Sequence, residues 1–191
     1  MTQPGLKQLS AWLKYQKRYG MDDAIDRVER MHLADVCKPE HNLVDIGCND
    51  GYISILVSPL VKEVTGVEPH VSLPAKENGK PKNVKWAKVD FNTFLKKDKL
   101  KNKFDVLLSL AVSIQLRDFG DLSEQEIVDG YASLLVPSGI VVHETQKLQD
   151  RPNNQEHTKL MLDAFATKFE IIKHGQARSS GGREYYHLRK K

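Results

Sequence analysis

Five short apolar runs between residues 43 and 144, each closed by a glycine, an acid or a polar residue, leave this chain few ways to fold. They are 43–46, 64–67, 84–89, 104–109 and 140–144. Strands this short and this apolar are buried on both faces, as strands of a parallel sheet are. Helical stretches separate them, among them 52–60 and the amphipathic 123–135, which opens on Ser123 and Glu126, a capping-box pair. Alternating strands and helices call for a parallel sheet covered on both sides, and right-handed crossovers bring every strand's carboxyl end to one edge. A helix over 156–167 and two more strands, 169–174 and 184–189, follow. The turn Ser179-Ser180-Gly181-Gly182 between those strands is short, so the two are antiparallel. The expectation is an α/β fold, a doubly wound, mostly parallel seven-stranded sheet with an antiparallel C-terminal hairpin.

Residues 1–36, ahead of the sheet, read as helical. Leu6, Leu9, Trp12 and Leu13 form one apolar stripe, Gly20 interrupts, and a second helix over 22–37 carries Ile25, Val28, Met31, His32 and Val36 on one side. This divides the chain into an N-terminal helical lid, 1–39, and a sheet domain, 40–191, within one structural domain. No apolar run approaches the roughly 18 residues of a membrane span, and the N-terminus has no secretory pattern. Only two cysteines occur, Cys37 and Cys48, with no C-x-x-C spacing. That argues against a disulfide framework or thiolate metal site and for a reducing cytoplasm. The net charge of +4, with lysines gathered between Lys76 and Lys103, suits a solvated face better than a phosphate-facing patch and favours an anionic partner only weakly.

Open sheets of this type bind ligands beyond the carboxyl ends of their strands, where strand order reverses. The residues closing each strand are therefore the candidates for chemistry. The first strand closes in Asp45-x-Gly47-x-Asn49-x-Gly51. Glycine lets the backbone take positive φ and approach a ligand, and asparagine tolerates the left-handed region better than most residues. The second closes in Glu68-Pro69, whose carboxylate suits the two hydroxyls of a ribose. The third closes in Asp90-Phe91, an acid for an exocyclic amine beside a ring for a base face. Each has a plainer reading alone: Glu68 as a solvated strand-end acid, Asp90 as a helix cap, Phe91 as core. The dinucleotide fingerprint G-x-G-x-x-G fails, because Asn49 and Tyr52 occupy its second and third glycine positions.

Taken together, these residues resemble the class I S-adenosylmethionine-dependent methyltransferases over about residues 40–189. The resemblance implies S-adenosyl-L-methionine as cofactor. It implies that the turn of Asp45, Gly47, Cys48, Asn49 and Gly51 cradles the methionine part. Glu68 with Pro69 would hold ribose, Asp90 and Phe91 adenine, and Ser109 and Leu110 would line the methyl-transfer channel. Leu-Val-Pro-Ser-Gly at 135–139 resembles the family's Leu-x-Pro-Gly-Gly before strand five. Asn49 and Ser138 stand where the family has glycine, and neither change removes a side chain with a chemical role.

Methyl transfer is an in-line displacement from an activated donor, so the protein aligns the nucleophile, excludes water and takes a proton if the acceptor has one. Candidate bases are His143 and Glu144 at the end of strand five, Asp118 and His157. Each also reads as a satisfied polar residue. No metal is expected, since His143, Glu144 and His157 match no ligand spacing. Tyr15, Arg18 and Tyr19, with Trp12 and Lys17, mix rings and positive charge that suit an anionic or nucleotide-like acceptor, or the cofactor carboxylate. Arg178, Arg183 and the basic tail add charge at the other end, beside a Gly/Ser-rich loop, 175–183, that reads as mobile. Ser109-Leu110-Ala111-Val112 lacks the Pro-Pro-aromatic slot of amino-group DNA enzymes, and neither cysteine follows a proline. Both observations argue against a base flipped from duplex DNA and leave a small molecule or RNA foremost as acceptor. The alternative is a cofactor-binding fold that has lost transfer and serves as a partner subunit.

Overall fold

The apolar runs become strands β1 (Asn42–Ile46), β2 (Glu63–Val67), β3 (Val84–Ala87), β4 (Phe104–Leu110), β5 (Leu135–Glu144), β6 (Phe169–Gln176) and β7 (Glu184–Lys190). In the computed structural model, which describes residues 21–70, 81–147, 153–178 and 182–191, they form a seven-stranded sheet ordered β3-β2-β1-β4-β5-β7-β6. The first five strands run parallel, and β7 pairs antiparallel with both β5 and β6. This is the expected doubly wound sheet with its reversed hairpin. The helices are α1 (Met21–Arg30), α2 (Leu33–Val36), α3 (Tyr52–Val57), α4 (Phe91–Leu95), α5 (Ser113–Asp118), α6 (Glu124–Leu134) and α7 (Asn153–Lys168). The expected helix around Trp12, with Tyr15, Arg18 and Tyr19, and most of the 179–182 turn lie outside the described residues.

Each strand alternates its side chains between two cores. Val44, Ile46, Leu107 and Val141 face α4, α6 and α7, with Tyr131 and Phe165 packed over them. Leu43, Leu108 and Val142 face α1 and α3, with Met31, Ile53 and Leu56 over them. The period of two in a strand dictates this sorting, and the same alternation decides below which polar side chains can reach a ligand.

Two elements differ from expectation, each for a local reason. The helix expected over 22–37 breaks at His32, which takes φ 50°. Met31 and Leu33 are both fully buried, yet two residues apart on one helix they would point about 200° apart. The break lets both face the core, and His187 Nε2 meets the Met31 carbonyl at 2.8 Å. Strand five begins at Leu135, directly after α6, and not at Ile140. Its pairing jumps from Phe104–Leu135 to Val106–Ile140, so Val136–Gly139 bulge out of register, with Ser138 at φ 60°. Two short helices, α4 and α5, also frame the sheet edge. Ser123 caps α6 with both halves of the capping box present.

Candidate functional site

Strand order reverses between β1 and β4, and a cleft of about 1020 Å³ opens there beyond the carboxyl ends. Its floor is the turn after β1. Gly47, Asn49 and Gly51 take φ of 70°, 47° and 75°, so asparagine fills a left-handed position as its chemistry allows. The Gly47 and Cys48 amides donate to the Val67 carbonyl at 2.8 and 3.2 Å. A Cβ on Gly47 would stand 2.3 Å from Val112 Cγ2, so this turn is close-packed as well as left-handed. Asp45 lines the cleft but is buried, and Ser54 Oγ donates to its carboxylate at 2.6 Å. Burial pushes its pKa up to about 6 against that hydrogen bond and the charge of Arg27, with Glu68 adding to the rise.

Glu68, Pro69, Asp90 and Phe91 line the same cleft, at the ends of β2 and β3. Glu68 Oε1 accepts from the His70 amide at 3.1 Å. Asp90 is also the N-cap of α4: it accepts from the Thr93 amide and from its hydroxyl, both at 2.8 Å. Those bonds hold its carboxyl below the usual range, and each oxygen keeps a second lone pair for a ligand. Phe91 is 4% exposed and packs edge-on to Tyr131, 5.4 Å between centroids. Its ring is core, so little of its face is free for a base. Phe119, 87% exposed and just past α5, offers an exposed phenyl ring at the cleft. Nothing in the sequence marks it, because an aromatic after a short helix carries no signal of where it faces.

On the transfer side the structure corrects five expectations. Leu110 lines the cleft, but Ser109 is fully buried on the opposite face of β4, 2.8 Å from Tyr131 Oη and 3.3 Å from His143 Nδ1. His143, paired with Ser109 across β4 and β5, points the same way and packs on Phe165 at 5.2 Å. Burial drives its pKa down to about 3, helped by the charge of His157, so it stays neutral and away from the cleft. Glu144 projects to the other face but is fully buried, paired with Arg27 and, at 3.4 and 3.6 Å, with Arg178 and Arg183. Its oxygens serve as counter-ions to these arginines. Asp118 is exposed outside the cleft and pairs with Arg117 Nε at 2.8 Å. His157 is buried as well, with Nε2 at 2.9 Å from Ser113 Oγ and Nδ1 at 2.9 Å from Glu124 Oε1. This order of groups serves nucleophilic catalysis elsewhere. Here Ser113 is 1% exposed and not part of the cleft wall, so the trio ties α5 to α6 and α7. Among the described residues no group of three or more His, Cys, Asp or Glu is placed to hold a metal ion. Nor is any described helix long and apolar enough to cross a membrane.

The remaining wall comes from α1 and from the segments after β5 and β6: Asp23, Arg27, Gln146, Arg178 and Arg183. From sequence, Arg178 and Arg183 stand only as general basic character, and no motif marks Arg27.

A family model described as a methyltransferase domain matches residues 13–181. Among solved structures, the chain is similar to the N-methyltransferase NodS of Bradyrhizobium japonicum WM9, at 16% identity over 87% of this chain and 93% of that one, TM-score 0.65. The same enzyme in complex with S-adenosyl-L-homocysteine is similar at 16% identity over 86% and 84%, TM-score 0.63. A geranyl diphosphate C-methyltransferase of Streptomyces coelicolor A3(2) is similar at 12% identity over 88% and 76%, TM-score 0.62. At these identities the likeness is one of fold. No curated protein matches the chain.

Proposed function

The chain belongs to the methyltransferase-domain family, and from that premise we propose that it transfers a methyl group from S-adenosyl-L-methionine to a small molecule or an RNA. One observation carries the reading. The glycine turn with Asp45, then Glu68, then Asp90 close three successive strands and line one cleft at the point where strand order reverses. The donor set fits a nucleoside joined to an amino acid: acids suited to a ribose diol and an exocyclic amine, and a left-handed backbone turn at Gly47 and Gly51 packed so closely on Val112 that a Cβ at Gly47 would clash. The solved structure of the Bradyrhizobium enzyme with S-adenosyl-L-homocysteine supports the choice of cofactor.

In this reading the turn from Gly47 to Gly51, with Asp45 and Cys48, holds the methionine part. Glu68 beside Pro69 grips ribose. Asp90 accepts from adenine, with Phe119 as an exposed ring beside it, while Phe91 stays packed in the core below the site. Leu110 lines the path of the methyl group. The bound cofactor supplies an activated sulfonium methyl. The protein orients the acceptor in line with it and keeps water out, and orientation of this kind can lower such a barrier by about 7–11 kcal/mol. Neither His143 nor Glu144 is free to remove a proton, so the reading assigns no general base. Residues 1–39 act as a lid, a role supported by the cleft-lining positions of Asp23, Ala24 and Arg27 in α1. Two buried free thiols suit the cytoplasm.

Calorimetry with S-adenosylmethionine and S-adenosylhomocysteine tests the cofactor site. Glu68→Ala should weaken both by about 100-fold, since it removes a charged acceptor from two hydroxyls. Unchanged affinity would reject the ribose assignment. A labelled methyl donor incubated with pooled metabolites and RNA then tests transfer. Binding without any labelled acceptor would favour a partner subunit that has lost turnover.

A further inference from the structure

Three guanidinium groups meet on the wall of the cleft around a single buried carboxylate. Arg27 comes from α1, Arg178 from the end of β6 and Arg183 from the start of β7, and Glu144 sits between them at 0% exposure. Asp23 pairs with Arg178 Nη1 at 2.6 Å. The two acids leave this wall with one positive charge in excess. It also keeps spare donors. Three guanidinium groups carry fifteen N–H donors in fixed forks, and among the described residues three hydrogen bonds engage them. Among the described residues Arg27 Nε is buried and has no hydrogen-bond partner. Arg183 lies 3.6 Å from Glu144 Oε1, beyond hydrogen-bond reach, and all three arginines line the cleft.

Glu144 and Asp23 anchor these groups through Arg27 Nη2, Arg178 Nε and Nη1, and Arg183 Nη1, so the donors those contacts leave over are preorganised before any ligand arrives. Planar forks arranged in this way match a carboxylate or a phosphate with paired hydrogen bonds. The three arginines are between 13% and 23% exposed. That setting differs from the open cationic face that tracks a nucleic-acid backbone, and it suits one oxyanion at the end of a pocket. The cleft is at the top of the range of about 300–1,000 Å³ for a single ligand, leaving room for a second molecule beyond the cofactor part.

We propose that Arg178 and Arg183, steadied by Glu144 and backed by Arg27, form the acceptor subsite of this cleft. The methyl acceptor is then a small molecule carrying a carboxylate or a phosphate. This rests on the function proposed above and narrows its acceptor class. The oxyanion docks on the arginine wall, and the reacting atom of the acceptor is thereby presented toward Leu110 and the glycine turn.

Isothermal titration of the full chain with inorganic phosphate, and separately with succinate, tests this in the presence and absence of saturating S-adenosylhomocysteine. At least one anion should bind the loaded protein, and the better of the two identifies the oxyanion. Arg183→Gln and Arg178→Gln should each weaken that binding by about tenfold or more, and Arg183→Lys by less, since it keeps the charge and loses the fork. The affinity for S-adenosylhomocysteine should stay within about threefold in each variant, which also reports that the variant is folded. The assignment is overturned if neither anion binds, or if the substitutions leave anion binding unchanged. A parallel fall in S-adenosylhomocysteine affinity would assign the arginines to the cofactor's own carboxylate. A single-stranded RNA oligonucleotide that binds more tightly than either anion, and is lost with the same substitutions, would replace the small acceptor by RNA. Failure of S-adenosylhomocysteine to bind the unaltered protein would reject the proposed function instead, and the titrations without it would still decide the arginine wall.

Discussion

His143 and Glu144 are neighbours in sequence and lie on opposite faces of the sheet. His143 faces the core beneath α7 through Phe165, and Glu144 faces α1 through Arg27. A histidine at a strand end reads as a base only if its ring can reach solvent, and exposure is not a property of residue type. Because its pKa in the folded state is about 3 and about 6.5 unfolded, His143 takes up a proton more readily in the unfolded chain. Its contribution is therefore present in full above pH 6.5 and is lost as pH falls toward 3, by as much as about 4 kcal/mol. His143→Gln should flatten the loss of stability between pH 6 and pH 4 in urea titrations while leaving kcat and its pH profile unchanged. A hundredfold fall in kcat at unaltered cofactor affinity would instead return His143 to the chemistry. Asp45, Gly47, Asn49, Gly51, Glu68 and Asp90 were legible because a glycine turn and strand-end acids sit at positions that spacing alone reveals. Phe119 and Arg27 were not, since their approach to the cleft depends on how α5 and α1 pack.

Among the elements, the bulge in the first half of β5 shows where local chemistry and observed structure pull apart. Ser138 holds φ 60° at an exposed position of the bulge, and a non-glycine residue there costs on the order of 1 kcal/mol. Ser138→Gly should raise the urea midpoint by the equivalent of about 0.5 to 1 kcal/mol, part of the gain being offset by the freer unfolded chain. A lowered midpoint would mean that the serine side chain stabilises the bulge by more than the strain costs. The capping box at Ser123 and the five parallel strands could be read locally. The break at His32 could not, because only burial of both Met31 and Leu33 requires it.

At the scale of the whole molecule, the cleft is assembled from segments that share no local sequence: the turn after β1, the ends of β2 and β3, α5, α1 and the β6–β7 hairpin. A ligand bridging them couples their stabilities. S-adenosylhomocysteine at about 100 times its Kd should stabilise the fold by about 2.7 kcal/mol, which is roughly 5 to 10 °C in Tm for a chain of this length. A scan showing no shift at that concentration would mean that ligand does not bind the native cleft. The alternation of short apolar strands with helices, the reversed hairpin and the acids closing β1, β2 and β3 were determined by sequence alone, because strand period, crossover handedness and turn chemistry are local rules. Tertiary structure alone decided that His143 is sealed in the core, that Glu144 anchors three arginines, and that those arginines line the cleft. Burial and the pairing of distant charges depend on which elements pack together, and residues more than a hundred positions apart, such as Arg27 and Glu144, meet only once the sheet has formed.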